Sequence, residues 1–139
     1  MSAEDVKATV ERAGELWNTG NMTIADQIYA SDFVNHDPGA PDVVDLESYK
    51  GFIAAVRAGM PDFQVTFEDM VVEGNQVASR WTAHGTHEAE LVGIPPTGQQ
   101  ATWTGMTSYR FDGGKIAEAW WSRDMLSLLM QLGVVPPLG

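Results

Sequence analysis

The stretch DFQVTFEDMVVEGNQVASRWTAHGTHE, residues 62–88, decides the fold. Phe63, Val65 and Phe67 alternate with polar neighbours, the period of a half-buried strand. Near Asp69 the phase slips and Met70 and Val72 take over, the mark of a β-bulge. Gly74-Asn75 is a hairpin signal, and Val77 to Glu88 reads as the returning strand.

The same reading extends towards the C-terminus. Leu91 to Gly98, with Ile94-Pro95-Pro96-Thr97 inside it, is a rigid loop. Thr102 to Asp112 is a third strand, Gly113-Gly114 a tight turn and Lys115 to Ser122 a fourth strand. Asp124 to Leu132 closes as a short helix before a Pro-rich tail, Val134 to Gly139.

Towards the N-terminus the period lengthens. Val6, Val10, Ala13 and Trp17 recur at helical spacing from about Ala3 to Trp17. Thr23 is a candidate cap for a short second helix carrying Ile24, Ile28 and Tyr29. Phe33 to Asp37 is a short extended piece, and Pro38 to Asp45 a loop. A third helix runs from about Leu46 to Met60, capped by Asp45 and stopped by Pro61. Helices first and antiparallel hairpins after give an α+β fold of one domain, residues 1–139, with about three N-terminal helices on one face of a curved antiparallel sheet. Such a sheet leaves a concave pocket between itself and the helices.

Composition narrows the function. The 139 residues carry a formal net charge of -11, which repels phosphate backbones and argues against nucleic-acid partners. The chain holds no cysteine, no signal-peptide pattern and no apolar run of membrane-spanning length. The expectation is a soluble cytoplasmic protein. No paired-histidine spacing or phosphate loop occurs, so no metal and no cofactor is expected.

Strand parity sorts the candidates for the pocket. Val77, Trp81, Ala83, Gly85 and His87 share the apolar face of one strand; Trp103, Thr107, Tyr109 and Phe111 share a face of the next. His87 reads either as a buried structural histidine or as a proton carrier in the cavity. His36, in Asn35-His36-Asp37-Pro38, either rims the cavity or closes the turn. Asp124 is either the N-cap of the last helix or a desolvated general base beside Trp120 and Trp121. Trp17, Trp81, Trp103, Thr107, Tyr109 and Trp120 are the candidate ligand contacts, suited to a small hydrophobic or polycyclic partner.

Several short stretches together resemble the SnoaL-like polyketide cyclases, in the nuclear-transport-factor-2-like superfamily of cone folds. They are Trp17-Asn18-Thr19-Gly20, Gly85-Thr86-His87, Leu91 to Gly98, Gly114-Lys115-Ile116 through Asp124, and Gln131-Leu132-Gly133. The resemblance implies a cone-shaped sheet, frequent homodimers and a cofactor-independent acid/base reaction. A carboxylate matching Asp124 would form an enolate that closes a ring by intramolecular aldol addition, with His87 or His36 as hydrogen-bond donor. The position that holds a histidine partner in the best-known cyclases is Thr107 here, and a hydroxyl cannot shuttle protons near neutral pH. Isomerase, dehydratase or hydrolase chemistry on the same scaffold, or ligand binding without catalysis, remain as alternatives.

Overall fold

In a computed structural model describing residues 1–137, four helices pack with a five-stranded sheet. Helix α1 (Ala3–Thr19) starts at a capping box in which Ser2 and Asp5 satisfy each other's backbone N–H groups. It ends at Gly20, whose φ of 72° is the left-handed conformation that closes helices. Helix α2 (Met22–Ile28) is capped by Asn21 rather than the expected Thr23, because the Asn21 side chain accepts from the Thr23 N–H. Helix α3 (Leu46–Gly59) begins at the Asp45 cap, as the sequence indicates.

The strands are β1 (Tyr29–His36), β2 (Gln64–Glu73), β3 (Gln76–Thr86), β4 (Gln100–Asp112) and β5 (Lys115–Arg123), in the order β1-β5-β4-β3-β2. From β2 to β5 every pairing is antiparallel, but β1 pairs parallel to β5. The sheet is therefore mixed, a correction to the all-antiparallel expectation. The piece around Phe33 is a full strand, and the chain reaches its far edge by crossing over through everything between. The register of β2 against β3 shifts between Phe67 and Asp69, where the phase of the sequence slips. A second shift lies between Arg110 and Phe111. Extra residues on one strand bend the sheet, which curls round the helices without closing.

Burial alternates cleanly along β3 and β4, with Val77, Trp81, Ala83, Trp103, Tyr109 and Phe111 inward. Against them lie Val10, Leu16 and Trp17 of α1 and Tyr49, Ile53 and Val56 of α3. Helix α4 (Met125–Gln131) covers the sheet beyond the end of β5. There Gln131 both accepts from the Thr102 N–H (2.8 Å) and donates to its carbonyl (2.7 Å), continuing the ladder with a side chain.

Candidate functional site

Between the helices and the inward face of the sheet lies an apolar cavity with about 510 Å³ of atom-free space, part of it open to solvent. Its walls are mostly rings. Trp17 comes from α1, Phe52 from α3, Phe63 and Phe67 from the region of β2, and Trp81, Trp103, Tyr109 and Trp121 from β3, β4 and β5. Two glycines make room for them. A Cβ at Gly14 would stand 2.7 Å from the Phe67 ring, and one at Gly105 would stand 2.2 Å from the Trp81 indole.

Hydrogen bonds fix the rings from behind. The Trp17 N–H donates to the Tyr49 hydroxyl (2.8 Å), which also pairs with the Tyr29 hydroxyl (3.1 Å). The Trp81 N–H donates to Thr107 Oγ1 (2.9 Å), and the Trp121 N–H donates to Asn35 Oδ1 (2.7 Å). Buried polar tips are thereby satisfied while the faces stay free for contact. Burial pushes Tyr49 up to about 12 and drives Tyr109 higher still, so both are neutral hydroxyls at physiological pH.

One cation reaches the cavity wall. Arg123, the last residue of β5, faces inward with Trp121, and its guanidinium carbon lies 5.3 Å from the ring centres of both Phe52 and Trp121. Its Nη2 donates to Oδ2 of Asp37, a carboxylate whose side chain is only 3% exposed. Asp37 Oδ1 accepts from the Gly39 N–H (3.0 Å). Burial lowers the Arg123 pKa and Asp37 opposes that shift, leaving the group charged. Arg123 Nε is buried and has no hydrogen-bond partner among the described residues.

The sequence candidates divide. Trp17, Trp81, Trp103 and Tyr109 line the cavity together. Thr107 lies just behind, holding Trp81, and stands opposite Trp121 in the β4–β5 register. Asp124 lies elsewhere. Its side chain accepts from the Ser127 N–H (3.0 Å) as the N-cap of α4 and borders a second, more open depression with Arg80, Thr104, Gly105, Met106, Ser122 and Arg123. One residue of strand parity separates it from Arg123. His36 also points outward, paired with Glu118 (2.6 Å) and stacked on the half-exposed Trp120 ring (5.3 Å between ring centres). Its neighbours Asn35 and Asp37 are the ones that turn in. His87 is fully buried at the root of the loop after β3, with Nδ1 held by Thr97 Oγ1 (2.9 Å). Neither histidine is among the residues lining the cavity.

Arg123, Asp37, Asn35, Tyr49 and Phe52 were not singled out by sequence. Parity through Asn35-His36-Asp37 and through Trp121-Ser122-Arg123 carried the signal for three of them. Among the described residues no group of three or more carboxylate or imidazole side chains could hold a metal ion.

The model of the SnoaL-like polyketide cyclase family matches residues 7–132. The chain belongs to the SnoaL-like polyketide cyclase family. Its solved relatives agree. IdmH of Streptomyces antibioticus, described as a candidate polyketide cyclase, is 34% identical with a TM-score of 0.82, over 93% of this chain and 99% of that one. A candidate polyketide cyclase of Acidithiobacillus ferrooxidans is 30% identical with a TM-score of 0.83, over 96% of this chain and 98% of its own. AclR of Streptomyces galilaeus, described as a candidate hydroxylase, is 27% identical with a TM-score of 0.87, over 99% of this chain and 87% of its own. Comparison with curated proteins found no match. Among the described residues of this SnoaL-like chain, no helix is long and apolar enough to cross a membrane.

Proposed function

We propose that this SnoaL-like domain binds a flat, hydrophobic, carbonyl-bearing small molecule of the polyketide kind in the ring-lined cavity. The observation that carries this reading is the wall itself: eight aromatic side chains and one arginine, with no carboxylate or imidazole among them. Ring faces favour a planar partner, and the narrow gap between them disfavours a thick one. Relatives described as candidate polyketide cyclases supply the polyketide class.

The test is to fill the gap. Val65→Trp places a further ring at the cavity rim, where Val65 is only half-buried. With the fold retained by circular dichroism, the variant should lose the quenching of tryptophan fluorescence that planar aromatic ketones cause in the wild type. Unchanged quenching in Val65→Trp would place the ligand outside the cavity.

Family membership favours a second reading, cofactor-independent enolisation and ring closure with Asp124 as base. For this, Asp124 must release the Ser127 N–H and turn past Arg123. A naphthyl 1,3-diketone in D₂O separates the two readings. Exchange of its α-protons faster than in buffer, abolished by Asp124→Asn, supports the base; no acceleration supports binding alone. Self-association is proposed on the outer sheet face, where Val34, Met106 and Trp120 are exposed. Sedimentation of Trp120→Glu as a lighter species than the wild type would support it.

A further inference from the structure

A guanidinium offers five N–H donors in one plane and is not deprotonated in proteins. In Arg123, Nη2 is committed to Asp37, and the rings of Phe52 and Trp121 lie close by. The other donors of the group are not committed: Nε is buried without a partner, no hydrogen bond among the described residues holds Nη1, and the side chain lines the cavity. A buried N–H without an acceptor is costly, and at a charged group more so. The N–H groups of Trp17, Trp81 and Trp121 are turned outward to Tyr49, Thr107 and Asn35, and the neutral Trp103 and Tyr109 are the other donors of the wall. A ligand oxygen in the cavity would therefore find its charge-assisted bond at this guanidinium.

We propose that the Arg123 guanidinium is the orienting contact of the site, and that it selects planar hydrophobic molecules carrying an oxyanion, whether carboxylate, phenolate or enolate. Asp37 is the positioning residue. It holds Nη2 from behind, and Gly39 N–H holds Asp37, so the plane of the guanidinium is fixed before any ligand enters. With a net charge of -11 over the chain, anions are repelled everywhere except where a cation is built into an apolar wall. The selectivity belongs to that one group.

The proposal rests on the cavity being the ligand site, and the experiment separates the two ideas. Calorimetric titration at neutral pH compares 2-naphthoate with 2-naphthamide, two probes with one ring system and different charge. The wild type should bind the anion about tenfold or more tightly, the gain expected of a charge-assisted bond. Arg123→Gln should weaken the anion more than the amide and bring the two affinities within about threefold of each other. If Arg123→Gln does not fold because Asp37 is left unpaired, the doubly neutral Arg123→Gln/Asp37→Asn variant takes its place. Equal binding of the two probes by the wild type overturns the role of Arg123 while the cavity reading stands. Preference retained in the variants overturns it too. Failure of both probes to bind the wild type removes the cavity reading and this proposal together.

Discussion

The indole of Trp81 occupies the space that a side chain at Gly105 would need. The two residues face each other across β3 and β4, and a Cβ on Gly105 would come within 2.2 Å of the ring. Trp81 is also held by Thr107, so its ring can give way only into the cavity and at the expense of that bond. Gly105→Ala should therefore destabilise the fold by about 1–3 kcal/mol, the usual cost of overpacking. It should also weaken binding of planar probes, because the displaced ring narrows the cavity. Thermal melting together with fluorescence quenching by such a probe checks both effects.

Asp124 does its visible work as a cap. Asp124→Ala should cost about 1 kcal/mol, and Asp124→Asn only a fraction of that, since an amide oxygen can accept from Ser127 N–H as well. Neither should change the affinity for a cavity probe. A large loss of affinity in Asp124→Asn, with stability intact, would move Asp124 into the site.

The Asp37–Arg123 pair makes an asymmetric prediction. Both side chains are nearly buried, so removing one leaves a charge without its partner. Arg123→Met alone should cost about 3–5 kcal/mol, whereas Arg123→Met with Asp37→Leu should recover most of it. Urea unfolding of the two single variants and the double one measures the coupling.

Tyr49 sets an alkaline limit. Its folded pKa is raised from 10.0 to about 12 by burial. Below pH 10 that contribution to stability is complete. Between pH 10 and 12 the unfolded chain ionises its tyrosine while the folded chain does not, so stability falls. Tyr49→Phe should make this fall less steep without abolishing it, because burial raises Tyr29 and Tyr109 as well. At neutral pH it should cost about 1–3 kcal/mol, because Trp17 N–H loses its acceptor and Tyr29 its partner. Urea midpoints measured from neutral pH to about pH 12 test both parts.

Much of this architecture was legible in the chain because strands and helices write their period locally. The alternation of Val77, Trp81 and Ala83, and of Trp103 and Tyr109, gave the inward faces, and the slip near Asp69 gave the bulge. The parallel seat of β1 beside β5 was not legible, since pairing between distant segments leaves no local mark. The same holds for Asp37 and Arg123, which stand 86 residues apart in sequence. At Asp124, cap and base demand the same residue type; only the hydrogen bond to Ser127 distinguishes the geometry. At His36 the alternation was there to read, but three polar residues in a row do not say which parity faces the core, and the structure turns Asn35 and Asp37 inward.

The crossover that carries β1 to the far edge has a kinetic side. Tyr29–His36 leaves the ribosome long before Lys115–Arg123, the neighbour against which it must pair. During synthesis the first strand waits with its edge unsatisfied, while β2, β3 and β4 can zip up in order by local hairpins. Capture of β1 by β5 can come only after β5 has been made. The same event brings Asp37 to Arg123 and Asn35 to Trp121, so the cavity acquires its cation only when the whole chain has been translated.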